Sequence, residues 1–363
     1  MSARHLYVHV PFCRRRCVYC DFSIAVRRRI PADDFLQALT AEWARAERPR
    51  ELATVYLGGG TPSLLGADGI TALAALIGAH GGLEEFTLEA NPDDVTGEAA
   101  RAWARAGVNR LSIGAQSFGP RALAWMHRTH GPDAIVAAVT HARRAGIAVI
   151  SLDLIFALPA SLGRDLDADL DRLLALEPGH VSLYGLTVED HTPLGRAAAR
   201  GEVAAPPEER YEEDYLHLHA RLAAAGYRFY EVSNASLPGA EAVHNRAYWS
   251  LAPYLGIGPS AHSFDGAARW WNEPAYARWR AALGRGESPV AGREILGPAQ
   301  RRLESLYLGL RTAEGIALDD PPSPRLAATL SGWVAAGWAE VEPPRLRLTP
   351  KGWLRLDELA ASL

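Results

Sequence analysis

Cysteine is scarce in this 363-residue chain, and long apolar runs are missing. Its three cysteines are too few, and odd in number, for the disulfide framework of a secreted domain. The most apolar internal stretch, 147–158, is interrupted by Asp153 and is shorter than a bilayer requires, so it predicts a buried parallel strand. No secretory leader is expected before the first apolar strand at Leu6. These features predict a cytoplasmic protein.

An excess of basic charge is also missing, because the formal net charge is -4 and 22% of the residues are charged. This balance argues against nucleic-acid binding. Arginines nevertheless cluster near the cysteines, at 14–16 and at 27–29. Such a basic face is either simply solvated or a docking surface for an acidic electron donor.

The three cysteines lie close together, at Cys13, Cys17 and Cys20, directly after an apolar segment. Thiolates hold iron–sulfur clusters, and a Cys-x3-Cys-x2-Cys loop supplies three of the four anchors of a four-iron cluster. The remaining iron is then free to bind a small chelating molecule. Structural zinc is an alternative in which His5 or His9 would supply the fourth ligand, and unreactive thiols are another.

Short β-rich segments alternate with alanine-rich helical segments through most of the chain. The predicted strands are 6–10, 54–57, 86–89, 110–113, 147–155 and 181–184. This alternation predicts an α/β fold with a parallel sheet, and six βα units predict a partial (βα)6 TIM-like barrel whose functional residues gather where the strands end. We expect a barrel core over residues 1–235 and a barrel-closing linker segment over 236–290.

The pattern changes after Pro298. Helices at 299–310 and 325–336, a hairpin through 343–344 and a last helix from 350 predict a small winged-helix-like α+β domain over 291–363. This region carries equal numbers of basic and acidic residues, so the cation excess that DNA binding requires is missing. A packing or lid role is favoured for it.

Glycine and polar residues follow the predicted strands. The run Gly58-Gly59-Gly60-Thr61-Pro62 comes directly after the second strand, where it either lets a ligand approach the backbone or forms a tight turn. Glu89 ends the third strand, Gln116 follows the fourth, and Asp153 lies in the fifth, while Arg128 is on the next helix. Such a set suits a ligand that carries carboxylate, ammonium and ribose groups, as S-adenosylmethionine does. A structural Asp–Arg pair is the alternative for Asp153.

Taken together, these segments resemble the radical S-adenosylmethionine proteins, and within them the oxygen-independent coproporphyrinogen III oxidases and their relatives. The resemblance extends from Tyr7-Val8-His9-Val10-Pro11-Phe12-Cys13 through Gln116-Ser117-Phe118 and Asp153-Leu154-Ile155-Phe156-Ala157-Leu158-Pro159 to the C-terminal unit. It implies that the three cysteines hold a [4Fe–4S] cluster whose open iron binds the amine and carboxylate of S-adenosylmethionine. The cofactor contacts that it implies are Tyr7, Tyr19, Gly59, Gly60, Thr61, Glu89, Gln116, Arg128 and Asp153.

One position separates two branches of this family. The oxidases have a further cysteine two positions after the third cluster ligand, whereas this chain has Phe22. In this respect the chain is similar to the haem chaperone branch. The segment His244-Asn245-Arg246-Ala247-Tyr248-Trp249 resembles the motif that this branch is thought to use for haem, which implies His244 as a haem ligand.

Imidazole can bind haem iron and aromatic rings can pack on a porphyrin, although a histidine satisfied within the core is the alternative for His244. A second histidine, His262, lies in a glycine-rich loop and is either a ligand or part of a turn.

The resemblance therefore implies a haem chaperone that binds a [4Fe–4S] cluster, S-adenosylmethionine and haem and delivers haem to apo-haemoproteins. It also implies a reducing partner such as flavodoxin or ferredoxin, and it leaves open a homodimer and peripheral contact with the inner membrane. The alternatives are an oxygen-independent coproporphyrinogen III oxidase, another tetrapyrrole-acting radical enzyme, and a binding module with a structural metal.

Overall fold

The computed structural model of the chain describes residues 3–79, 82–318 and 323–363. Six parallel strands pair side by side in the order in which they occur along the chain. These six core strands are His5–Val10, Thr54–Gly59, Glu85–Ala90, Arg110–Gln116, Val149–Phe156 and His180–Gly185. Their residues are buried almost without alternation, as in a parallel sheet that is covered on both faces.

Helices connect the core strands. They are Ala32–Arg45, Gly66–Ile77, Gly97–Arg105, Pro120–Trp125, Pro132–Arg144 and Leu166–Ala175, with short 3-10 turns at Pro62–Leu65, Pro92–Asp94 and Ala160–Leu162. Side-chain caps begin some of these helices: Thr96 accepts a hydrogen bond from the amide of Ala99 at 3.1 Å, and Asp165 accepts one from the amide of Ala168 at 3.0 Å. The alternation of strand and helix confirms the predicted partial (βα)6 TIM-like barrel.

Further strands extend the sheet on both sides, to twelve strands within the described parts of the chain. Asn234–Ser236 and the edge strand Arg228–Glu231 follow the sixth core strand. On the other side, Tyr254–Ile257 runs parallel to the first core strand and is followed by His262–Phe264, Ala268–Asn272 and the edge strand Val290–Ile295. The connecting helices are Pro193–Ala199, Glu208–Ala224, Val243–Trp249 and Tyr276–Gly284, and Phe12–Cys13 pairs separately with Ala25–Val26.

A helix, and not a strand, links the two edges of this open sheet. Helix Pro298–Arg311 begins shortly after the edge strand Val290–Ile295, and its end joins the opposite edge. There the amide of Val232 donates to the carbonyl of Arg311 at 3.1 Å. The Arg311 guanidinium also lies 2.8 Å from the carboxylate of the fully buried Glu231.

The C-terminal part of the chain has an apolar core of its own, built on Leu310, Trp333, Leu346 and Trp353 among others. Its further elements are Ile316–Ala317, Pro324–Ala335, Ala339–Glu342, Arg345–Leu348, Pro350–Trp353 and Leu356–Ala361. The three strands form a small antiparallel sheet in the order first, third, second. This arrangement of helices beside a small sheet is the expected winged-helix-like α+β unit.

The predicted domain boundaries at 235/236 and 290/291 stay predictions. The strand Val290–Ile295 crosses the second boundary and still pairs with the main sheet. Within the described ranges, no helix is both long and apolar enough to cross a membrane.

Candidate cofactor site

The predicted cluster ligands and most of the predicted cofactor contacts line one cavity of about 470 Å³ at the carboxyl ends of the core strands. We call it the cofactor cavity. The predicted residues that line it are Cys13, Cys17, Tyr19, Cys20, Gly59, Gly60, Thr61, Glu89, Gln116, Arg128 and Asp153. They come together because parallel strands place their carboxyl ends at the same end of a barrel. The structure places Tyr7 and His244 elsewhere.

The three thiols lie on one wall of this cavity. The Cys13 sulfur is 3.5 Å from Oγ1 of Thr61, and the Cys17 sulfur is 3.5 Å from Nη1 of Arg128. Burial raises the pKa of the Cys13 thiol to about 11 and also raises the pKa of Cys20. A bound metal removes the proton from a coordinating thiol, so the raised pKa values of Cys13 and Cys20 are compatible with a role as ligands.

The thiols are not gathered around one point. Across residues 3–79, 82–318 and 323–363, no three His, Cys, Asp or Glu side chains are grouped closely enough to hold a single metal ion. A single zinc ion requires each sulfur ligand to lie about 2.3 Å from the metal, so the sulfurs gather around one point. In a four-iron cluster each cysteine binds a different iron, so the sulfurs lie farther apart. Thiols that line one cavity wall fit the larger group.

The glycine run after the second core strand is required by its own surroundings. A Cβ atom on Gly59, whose φ is +110°, would lie 2.6 Å from the His9 ring, and one on Gly60 would lie 2.6 Å from the Phe12 carbonyl oxygen. Glycine therefore lets this turn pack against the segment that leads into the cysteine loop. The Gly59 amide donates to Glu89 at 3.2 Å, so the turn also positions a cavity carboxyl group.

Two carboxyl groups are enclosed in the cofactor cavity. Burial raises the pKa of Glu89 to about 7, although hydrogen bonds from Tyr56 at 2.7 Å and from the Gly59 amide oppose the rise. Burial likewise raises the pKa of Asp153 to about 6, and Ser112 donates to it at 3.0 Å. A cationic ligand in this cavity would favour the ionised form of each group. The sulfonium and ammonium groups of S-adenosylmethionine have the required charge.

Arg128 and Gln116 each retain a buried polar atom without a partner among the described residues: Nε of Arg128 and Oε1 of Gln116. Arg128 was predicted on a helix but lies after the end of helix Pro120–Trp125, and its Nη2 donates to Asn91 at 2.6 Å and to the carbonyl of Gly114 at 2.8 Å. An unpaired buried polar group costs about 1–3 kcal/mol, so a ligand that pairs with these atoms is favoured. The donor and acceptor set thus fits a zwitterionic cofactor.

Sequence reasoning missed Asp169, which holds the turn after the fourth core strand. Its carboxylate accepts hydrogen bonds from the Ser117 hydroxyl and from the amide of Phe118, the latter at 2.9 Å, and it pairs with Arg164 at 2.7 Å. Gln116, with φ of +66°, begins this turn. A signal was present in the sequence, because an acid at 169 shares the apolar face of its helix with Leu166 and Leu173.

Tyr7 lies in a second cavity of about 510 Å³, which adjoins the first. We call it the aromatic cavity, because Tyr7, Phe22, Tyr248, Trp249, Tyr254 and Phe264 line it. Phe22, Gly59 and Glu89 line both cavities and form a shared wall. The Tyr7 hydroxyl lies 3.0 Å from Nδ1 of His9, which is also in this cavity.

His244 lines neither cavity and is fully buried. Its Nδ1 lies 2.7 Å from the Thr54 hydroxyl and its Nε2 lies 2.8 Å from the Tyr248 hydroxyl. Burial lowers the pKa of this imidazole to about 3, so the ring is neutral. The assignment of His244 as a haem ligand stays a prediction, and in this structure both ring nitrogens have partners within the protein.

The sequence and the fold agree with one class of protein. The family model of the radical SAM superfamily matches residues 7–193. In fold, the chain is similar to the coproporphyrinogen III oxidase HemN of Escherichia coli, with a TM-score of 0.83 at 22% identity over 99% of this chain and 90% of that one. The barrel and its cysteine loop therefore define a radical SAM protein.

Curated relatives narrow the class. The heme chaperone HemW of Mycobacterium tuberculosis is 37% identical over 99% of this chain and 94% of its own length. HemW of Lactococcus lactis is 36% identical over 86% of this chain and 83% of its own length. HemW of Escherichia coli is 38% identical over 71% of this chain and 69% of its own length. The chain belongs to the radical SAM superfamily and, within it, to the HemW family.

Proposed function

We propose that this protein is a haem chaperone that binds a [4Fe–4S] cluster, S-adenosylmethionine and haem and delivers the haem to apo-haemoproteins. Membership of the HemW family supports the proposal along nearly the whole chain. One structural observation carries it: a polar cavity with three thiols shares the wall of Phe22, Gly59 and Glu89 with an aromatic cavity large enough for a flat ligand.

Cys13, Cys17 and Cys20 would hold the cluster, which when bound supplies a redox centre with an open iron site for the cofactor. Arg128 contributes a positive charge beside Cys17, and Thr61 contributes a hydroxyl beside Cys13. Each of these neighbours can donate a hydrogen bond to a metal-bound sulfur.

The other residues of the cofactor cavity would bind and orient S-adenosylmethionine. Glu89 and Asp153 present acidic groups to its positive charges, and the unpaired atoms of Gln116 and Arg128 can pair with its polar groups. Gly59 and Gly60 keep the cavity wall free of side chains. Tyr19 would contact the cofactor from within the cofactor cavity, and Tyr7 would do so from the aromatic cavity, across the shared wall.

The partners belong to the same proposal. The exposed arginines 14–15 and 27–29 offer a docking face for a flavodoxin or ferredoxin, and Arg14 and Arg15 reach the rim of the cofactor cavity. We further propose a cytoplasmic protein that meets its recipients in the cytoplasm or peripherally at the inner membrane, and that can form a homodimer.

A coproporphyrinogen III oxidase has less support. The likeness to HemN at 22% identity concerns the fold alone. In this chain Phe22, 61% exposed, occupies the position at which the oxidases have their extra cysteine. An aromatic side chain there extends the wall between the two cavities and supplies no thiol.

The deciding experiment uses the full chain, reconstituted without oxygen and supplied with S-adenosylmethionine and reductant. Haem is titrated into it, and the loaded protein is then mixed with apomyoglobin as an acceptor. We expect stoichiometric haem uptake, transfer to the acceptor, and little 5′-deoxyadenosine. Repeated 5′-deoxyadenosine formation with coproporphyrinogen III, without haem uptake, would establish the oxidase instead.

A further inference from the structure

The two histidines that the sequence offers as haem ligands have opposite environments. His244 belongs to a buried hydrogen-bonded chain in which the Thr54 hydroxyl also lies 2.9 Å from Nδ1 of His5. A neutral imidazole has one N–H and one lone pair, and His244 uses both on Thr54 and Tyr248. Binding iron would break an existing hydrogen bond of His244, to the Thr54 hydroxyl at Nδ1 or to the Tyr248 hydroxyl at Nε2.

The backbone around His244 shows what this histidine does in the fold. The amides of Val243 and His244 donate to the buried carboxylate of Glu85 at 2.8 and 3.1 Å. These bonds and the contact with Thr54 fix helix Val243–Trp249 against the second and third core strands. His244 in turn holds the hydroxyl of Tyr248, whose ring lines the aromatic cavity. Its position is that of an anchor behind the cavity wall.

His262 lies at the cavity itself. It is exposed, it lines the aromatic cavity, and within the described part of the chain neither of its ring nitrogens has a hydrogen-bond partner. Its ring stacks on Trp271, with the centroids 5.8 Å apart and the planes 25° apart, so its orientation is restrained. Burial and the nearby Arg269 lower the pKa of His262, which keeps a lone pair available.

The strands around His262 present the other groups that a haem requires. Tyr254 pairs with Phe264, and Phe264 pairs with Arg269 on the next strand, so these side chains share a face of the sheet with His262. Tyr248 packs edge-on against Tyr254 at 4.6 Å. The cavity thus combines aromatic walls, one accessible imidazole and one guanidinium.

We propose that the haem lies in the aromatic cavity with its iron bound to a ring nitrogen of His262, and with Arg269 facing a propionate. This inference rests on the proposed function and assigns a binding site to the haem. The imidazole donates its lone pair to iron in one new coordinate bond, and no electron is transferred. Arg269 now pairs with Glu304 at 2.8 and 3.1 Å, so a propionate would share or replace that carboxylate.

The test is a haemin titration of the full-length protein and of folded variants. Uptake is monitored by the Soret band, and the iron ligand is identified by resonance Raman or EPR spectroscopy. We expect His262→Ala to lose the iron–imidazole signature and to bind haemin at least tenfold more weakly. Added imidazole should restore the signature. His191→Ala removes an exposed histidine outside both cavities and should behave as wild type.

Two further variants separate the histidines. His244→Ala is expected to unfold at a lower temperature but to retain the iron–imidazole signature while it is folded. Thr54→Val removes the Nδ1 partner of His244 at a position outside both cavities, and the folded variant should keep the signature unchanged. Should His262→Ala prove unstable, its haemin titration at low temperature, with and without added imidazole, still reports on ligation.

The outcomes are distinct. If wild type takes up haemin in stoichiometric amount, while His262→Ala keeps the signature and folded His244→Ala loses it, the position is overturned and the proposed function stands. If wild type takes up no haemin in stoichiometric amount, the proposed function and the position are both overturned.

Discussion

The guanidinium of Arg128 lies 3.5 Å from the sulfur of Cys17, although the two residues are far apart in sequence. The same guanidinium bonds to Asn91 and to the carbonyl of Gly114, so three segments of the barrel determine its position. A guanidinium held in this position can donate a hydrogen bond to a metal-bound sulfur. Arg128 therefore joins the cysteine loop to the cavity that the core strands form.

Replacing Cys17 by Ala should remove one of three cluster ligands. We expect the anaerobically reconstituted variant to lose the broad visible absorption of the cluster and most of its iron and sulfide. Ser23→Ala is the control, because it changes a nearby half-buried side chain whose hydroxyl, among the described residues, bonds to the Pro274 carbonyl. Iron and sulfide contents equal to those of wild type in Cys17→Ala would exclude Cys17 as a ligand.

Replacing Asp169 by Asn should damage both stability and cofactor binding. The change leaves Arg164, which is 5% exposed, without its charged partner, at a cost of about 3 kcal/mol. It also loosens the turn that begins at Gln116, so we expect about tenfold weaker binding of S-adenosylmethionine, or roughly 1.4 kcal/mol. Urea unfolding and equilibrium dialysis would measure the two effects.

Asp165→Asn is the matched control, since asparagine is as good a helix cap as aspartate and position 165 is exposed. Equal unfolding free energies and cofactor affinities for Asp169→Asn and Asp165→Asn would show that Asp169 does not support the turn.

Cofactor binding should strengthen as pH rises from about 6 to 8. In the ligand-free protein the pKa of Glu89 is raised to about 7 and that of Asp153 to about 6. The unfolded state releases these protons near pH 4, whereas the folded state still holds them. The two groups therefore make folding less favourable as pH rises from about 4 to about 7. A cationic ligand reverses the preference, because it binds the ionised carboxylates better.

The measurement is the affinity for S-adenosylmethionine across this pH range, in wild type and in Glu89→Gln. We expect roughly a tenfold gain for wild type, about 1.4 kcal/mol, and a flatter profile for the variant. The ligand-free variant should also lose less stability than wild type between pH 5 and 8. A pH-independent affinity in wild type would contradict an acidic contact.

Replacing Arg311 by Ala should destabilise the protein by about 3 kcal/mol, because it leaves the fully buried carboxylate of Glu231 unpaired. The guanidinium also lies over the ring of Trp249, at 4.4 Å from its centroid, so its loss should change tryptophan fluorescence. The control is Arg246→Ala, which breaks an exposed pair with Glu314 and should cost less than about 1 kcal/mol. Similar losses in both variants would argue against the buried pair.

The sequence predicted the barrel and most of the cofactor cavity for a physical reason. Parallel strands that alternate with helices bring their carboxyl ends together, so Glu89, Gln116 and Asp153 had to meet near the cysteine loop. The fifth strand was predicted at 147–155 and lies at Val149–Phe156, a shift that reflects how a strand ends through pairing with its neighbours.

The environments of His244 and His262, the two candidate haem ligands, could not be predicted from the sequence. The burial of His244 depends on Thr54, which lies on a core strand nearly two hundred residues earlier. The aromatic cavity depends on Tyr254–Ile257 adding to the first core strand, which brings His262 and Phe264 beside Tyr7. Local periodicity carries no information on such long-range pairing.

The barrel is completed by helix Pro298–Arg311, and this has a mechanical consequence. A β ladder opens one hydrogen bond after another, whereas this junction consists of the Arg311–Glu231 ion pair, a few backbone hydrogen bonds and apolar packing against the C-terminal core. Local unfolding of the end of this helix would open the barrel beside the edge strand Arg228–Glu231 while the core strands stay intact. A ligand of the aromatic cavity, which Leu308 of this helix also lines, would then have a route out that leaves the cysteine loop in place.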